Sequence, residues 1–192
     1  ILVGNQRGGY ADAARHFLNA EDNETVIVHQ LRGFIGKDLY SAFQESYACS
    51  LGTKCKQHLY SLSLSPPKDV DVSAEQFEDA IDRAEQRLGL TRQPRAIVIH
   101  EKRGRDGELR KHAHAIWCRV DAEDGRAVHM AHDRSKLFAY SRELFLENGW
   151  ELPKGYERRQ DRSHSNYTHS EHQQARRKDK YADDIKRVFQ QA

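Results

Sequence analysis

Apolar positions along the chain recur with two different periods, and the switches between them mark out the elements. Residues 1–3 open a short strand that Gly8-Gly9 breaks. Tyr10, Ala13, Ala14, Phe17 and Leu18 then fall three and four apart, the spacing of one helical face. The β-branched run 25–31 reads as a strand. Asp38 can cap a helix whose apolar face is Leu39, Ala42, Phe43 and Tyr47, ending near Gly52. Residues 58–64 alternate, with His58, Tyr60, Leu62 and Leu64 on one face and Leu59, Ser61 and Ser63 on the other, which predicts a half-buried strand stopped by Pro66-Pro67.

Ser73 and Gln76 form a capping-box pattern ahead of a helix that buries Phe77, Ala80, Ile81, Ala84 and Leu88 and stops at Gly89. Residues 96–102 and 108–120 read as two strands joined by a tight turn. Residues 135–148 form another amphipathic helix, with Leu137, Tyr140, Leu144 and Phe145 inward and Gly149 as its stop. A second capping-box pattern, Thr168 to Glu171, opens a basic helix toward the end. Alternating strands and helices with an evident hairpin predict an α+β fold. Its expected form is an antiparallel sheet of about five strands flanked by helices over residues 1–153, with 154–192 a basic helical extension that reads as part of a longer protein.

Composition narrows the class. Apolar residues make up 38% and charged residues 31% of the 192, as in soluble globular chains. No apolar run is long enough to span a membrane, and the start of the chain is no signal peptide, so a cytoplasmic location and reduced cysteines at 49, 55 and 118 are expected. A net charge of +2 says little about nucleic acid, but its distribution says more: residues 154–192 hold ten Lys/Arg and six Asp/Glu, a local +4. Eleven histidines are many for this length, and their placement carries the chemistry.

His112 and His114 are two apart on a strand, so they share a face about 7 Å apart. The turn then places a third histidine. Arg105-Asp106-Gly107 suits a three-residue hairpin loop with Gly107 in the left-handed region. Gly104 then faces Glu108, and His100 faces His112 on the same side of the sheet. A slip of one residue would send His100 to the other face. Three neutral imidazoles with open positions beside them suit a catalytic divalent ion. Imidazoles alone do not choose among Mn, Mg and Zn.

His100, followed by His112-Ala-His114 on a hairpin and preceded by the 58–65 strand and a capped helix, resembles the relaxase/mobilisation nucleases, HUH-type endonucleases of conjugative and mobilisable plasmids. The resemblance implies a sheet flanked by helices and a metal-assisted nick in one strand at a transfer origin (oriT). It also implies a covalent 5′-phosphate–protein adduct. The partners it implies are single-stranded DNA, relaxosome accessory proteins and a type IV secretion coupling protein, with no membrane. The family's nucleophile is usually a tyrosine in a pattern like Ala-x-x-Tyr-hydrophobic-Leu. The matching stretch is Ala13-Ala14-Arg15-His16-Phe17-Leu18, with His16 in the tyrosine's place. Either His16 attacks phosphorus itself, with Asp12 holding its other ring nitrogen, or a tyrosine does, with Tyr10 the alternative. The Asp that often follows the first histidine by two positions is here Lys102, and Glu101 should point to the opposite face. His58 reads either as a partner behind the site or as a packed histidine.

DNA phosphates would be met by Lys102, Arg103, Arg105, Arg110 and Lys111 near the hairpin tip and by Arg158, Arg159, Arg176 and Arg177 in the extension. Two rival functions remain at this level. One is a non-catalytic single-stranded nucleic-acid-binding module on the same fold. The other is a metal-dependent phosphoesterase without a covalent intermediate.

Overall fold

The computed structural model describes residues 1–20, 23–104 and 106–156. The expected basic helix, with Arg158, Arg159, Arg176 and Arg177, lies outside the described residues, as does Arg105. The first compact unit is Ile1–Trp150. Beyond it, Lys154–Tyr156 forms one 3-10 turn.

The elements in chain order are β1 (Leu2–Arg7), α1 (Tyr10–Leu18), β2 (Thr25–Arg32), α2 (Leu39–Ser50), β3 (Leu59–Leu64), α3 (Ala74–Leu88), β4 (Arg95–Arg103), β5 (Leu109–Cys118), β6 (Val120–Asp121), β7 (Arg126–Ala127) and α4 (Asp133–Glu147). Five strands form one sheet in the order β1-β3-β5-β4-β2, every neighbour antiparallel. This is the expected α+β architecture.

Helices cover both faces. Phe77, Ile81 and Leu88 of α3 and Leu137 and Tyr140 of α4 pack on Tyr60, Leu62, Ile97, Ala115 and Trp117. Ala13, Ala14 and Phe17 of α1 and Leu39, Ala42 and Phe43 of α2 pack on Leu59, Val98 and Ile116. Residues of β3, β4 and β5 alternate between these two cores as the pleat requires. The half-buried strand expected at 58–64 is therefore corrected. Leu59, Ser61 and Leu62 are all buried, because both faces of β3 are roofed. His58 is also reassigned: it contacts Ser46 and Tyr47 of α2, while Tyr60 belongs to the α3/α4 core.

The capping signals act as read. Asp38 accepts from Ser41 N at 2.9 Å, and Ser73 and Gln76 exchange reciprocal bonds of 2.9 and 3.3 Å. Gly89 ends α3 in the left-handed region, φ 74°. β1 runs on through Gly4, Asn5 and Gln6 to Arg7, paired along its length with β3. Gly4 is needed there, since a Cβ would stand 1.9 Å from the Tyr60 hydroxyl. The β6–β7 pair has two residues per strand, too few to show a period.

Candidate active site

The β4–β5 hairpin has the register that its turn implied. Gly104 N donates to Glu108 O at 2.8 Å, Gly107 has φ 85°, and His100 lies directly opposite His112. His114 is opposite Val98 on β4 and Ser63 on β3. The three imidazoles face the α1 side of the sheet, with ring centroids 4.8 to 5.0 Å apart. One ring nitrogen from each lies within 4.8 Å of the others, so the group could hold a metal ion.

His100 is buried, and its Nε2 is 2.8 Å from the Phe17 carbonyl. A carbonyl only accepts, so Nε2 carries the hydrogen, and in the neutral ring the lone pair is then on Nδ1. This bond ties the hairpin to α1 and orients the ring, as an outer hydrogen bond does for a metal-ligating histidine. Burial pushes His112 down to about 4, helped by the charges of His100 and Lys102. Burial pushes His114 further, to about 3, with His112, His100, His16 and Arg7 adding to it. Both are therefore neutral near pH 7, the form that offers a lone pair to a cation. The donor set fits a divalent ion with nitrogen ligands.

α1 brings His16 to the same place. Its ring centroid lies 6.4 Å from that of His114 and 5.0 Å from that of Phe17. Burial, then the charges of Arg7 and His100, holds His16 below the usual histidine value. Tyr10 lies elsewhere. It packs on Tyr40 and Tyr47 with centroids 5.5 and 5.3 Å away, about 9 Å of helix from His16. Its hydrogen bond with Tyr40 raises its pKa, which opposes formation of a phenolate. Asp12 does not hold His16 as expected; its carboxylate pairs with Arg15. His58 is a packed histidine, with Nδ1 2.9 Å from Ser46 Oγ and Nε2 2.9 Å from the Gly8 carbonyl. Glu101 lies 3.9 Å from Lys111.

Beside the cluster runs an open groove of about 770 Å³, walled by Pro66, Lys68 and Val70 on one side and by Lys102, Arg110, Lys111 and His112 on the other. Several of the basic residues expected to meet DNA already hold acidic neighbours. Arg103 pairs with Glu24 at 2.6 Å, Lys111 with Asp71 at 2.8 Å, and Arg110 with Asp106. Such exposed pairs are weak, screened by solvent and salt, and can give way to other anions.

Sequence reading missed one group at the site. Arg7, at the end of β1, lies across β3 from the histidine strand, with its Cζ 5.1 Å from the Phe17 ring centroid. The polar run Asn5-Gln6-Arg7 carries no strand period, so only the sheet pairing reveals it.

The family model described as Relaxase: MobA/VirD2-like, nuclease domain matches residues 11–150. No curated protein and no solved structure matches the chain. The match takes in α1 from Ala11 onward, with His16, the whole histidine hairpin and α4. The chain belongs to the relaxase family, as a nuclease domain of the MobA/VirD2-like kind.

Proposed function

We propose that this relaxase nicks single-stranded DNA at a plasmid transfer origin and becomes attached to the 5′ phosphate through His16. The observation that carries the reading is the contact of His16 with His114 of the three-histidine cluster. The residue in the usual nucleophile's place thus stands beside the residues suited to a metal. A divalent ion held by His100, His112 and His114, whether Mn, Mg or Zn, would polarise a phosphoryl oxygen.

The rest follows from the chain's own residues. A neutral His16 ring nitrogen donates its lone pair to phosphorus, forming an N–P bond. The P–O3′ bond breaks, and its electron pair leaves on the 3′ oxygen. The proton of the other His16 nitrogen is lost to water and that oxygen takes one from water, giving a 3′ hydroxyl and a phosphoramidate with a neutral ring and one negative charge on its phosphoryl oxygens. The depressed pKa of His16 keeps the attacking form populated near pH 7. The groove along Lys102, Arg110 and Lys111 leads phosphates to His112, with DNA displacing the carboxylates that now hold Arg110 and Lys111.

The test is incubation of the chain with Mn²⁺ and a random-sequence pool of single-stranded oligonucleotides. An adduct stable to denaturation is expected, and mass spectrometry of the DNA-linked peptide should place the link on His16. Full adduct formation by His16→Ala would sink the assignment. DNA binding with no adduct under any divalent metal would instead favour a non-catalytic module. Turnover of phosphoesters without attachment would favour a simple phosphoesterase.

A further inference from the structure

Arg7 is held in place but not neutralised. Its Nε donates to Ser61 Oγ at 2.9 Å, and its Cζ lies over the Phe17 ring. Ser61 is itself tied to the backbone, donating to Asn5 O at 3.3 Å. Among the described residues Arg7 forms no ion pair, and no hydrogen bond engages its two terminal nitrogens. The side chain is half-buried, and burial lowers its pKa.

Register gives the direction in which the side chain runs. Arg7 starts opposite Leu59, and its Nε is already at Ser61, two residues further along β3. The next residue on that face is Ser63, directly opposite His114. Phe17, under the guanidinium, touches both His16 and His114, with centroids 5.0 and 5.1 Å away. A partly desolvated cation lacking an anion is costly, and the neutral imidazoles beside it supply none. A guanidinium presents paired N–H groups that match two phosphate oxygens.

We propose that Arg7 is a phosphate-binding catalytic residue, its terminal nitrogens taking the non-bridging oxygens of the phosphodiester at the three-histidine centre. The proposal rests on the nuclease reading above for the identity of the anion. Arg7 would neutralise charge that grows on those oxygens as the N–P bond forms, a role distinct from that of the histidines.

The experiment uses the full chain loaded with Mn²⁺ and dimethyl phosphate, a diester of the same charge, followed by paramagnetic relaxation of its ³¹P signal. In the wild type the signal should broaden saturably. In Arg7→Gln the dissociation constant should rise about tenfold, and in Arg7→Lys by less, with Mn²⁺ affinity and urea midpoint unchanged in both. Equal binding by Arg7→Gln and the wild type overturns the proposal, as does absence of dimethyl phosphate near the ion in the wild type. Parallel loss of Mn²⁺ affinity and urea stability in Arg7→Gln also overturns it, by making Arg7 a packing residue. Arg7-dependent diester binding in a chain that forms no adduct with the oligonucleotide pool supports the phosphate site while removing the His16 mechanism, so the two failures are distinguishable.

Discussion

On the α3/α4 face, Arg95 is 1% exposed, yet it donates to Glu85 at 2.9 Å, to Gln30 at 2.8 Å and to Asp82. Glu85 also takes Trp117 Nε1 at 2.7 Å and Arg32 at 2.8 Å. Arg95 and Arg32 thus each meet a carboxylate. On the α1/α2 face three imidazoles crowd within 5 Å, with His100 bonded to the Phe17 carbonyl and, among the described residues, no acid paired with Arg7. Both faces bury polar groups, but only one completes them from within. A network closed on itself holds a helix to a sheet. A cluster of lone pairs beside an uncompensated cation is an arrangement that a metal and a phosphate would complete.

Acid should break the comparison most strongly. His112 and His114 sit at about 4 and about 3 in the folded chain and near 6.5 when unfolded. Between about pH 6.5 and pH 4 the unfolded chain therefore binds more protons, and stability falls as pH falls through that window. Urea midpoints of metal-free protein should drop steadily from pH 7 to pH 4.5. The slope should flatten, without vanishing, in a His112→Gln/His114→Gln double variant, since burial also lowers His58. A slope that the double variant leaves untouched would place the acid sensitivity elsewhere.

The hairpin side of this contrast was readable in advance because a single glycine determines it. Gly107 selects the three-residue loop, the loop sets the register, and the register puts His100 opposite His112. Ser73 and Asp38 likewise announced their helices through local bonds that need no distant partner. What stayed hidden depended on distant packing. Alternation in β3 shows two faces, not that a second helical layer covers the serine face. Arg7 reaches the site only because β1 pairs with β3 beyond Gly4. Asp12 chose Arg15 over His16, a competition between neighbours on one helix that spacing alone leaves open.

The closed side should fail by stability alone. Glu85→Ala removes the shared acceptor of Arg95, Arg32 and Trp117 and leaves Arg95 buried, with Asp82 its nearest remaining carboxylate. Removing one partner of a buried pair costs about 3–5 kcal/mol. Denaturant titration at pH 7.5 should show a loss of that size, with Mn²⁺ or Zn²⁺ affinity of the folded fraction unchanged. A loss under about 1 kcal/mol would mean that Asp82 and Gln30 suffice to hold the guanidinium.

The open side should fail in the opposite sense. His114→Gln keeps a polar side chain of similar reach but removes an imidazole that touches His16, Phe17, His100 and His112. If the cluster exists to bind metal, calorimetry at pH 7.5 should show affinity falling at least about a hundredfold, roughly 2.7 kcal/mol by the usual conversion. The unfolding free energy of the metal-free protein, from urea titration, should change by less than about 1 kcal/mol, because the fold loses a desolvated imidazole rather than a satisfied bond. Unchanged metal affinity together with a large stability loss would make His114 the counterpart of Glu85, and the two faces would then differ only in the chemistry of their packing.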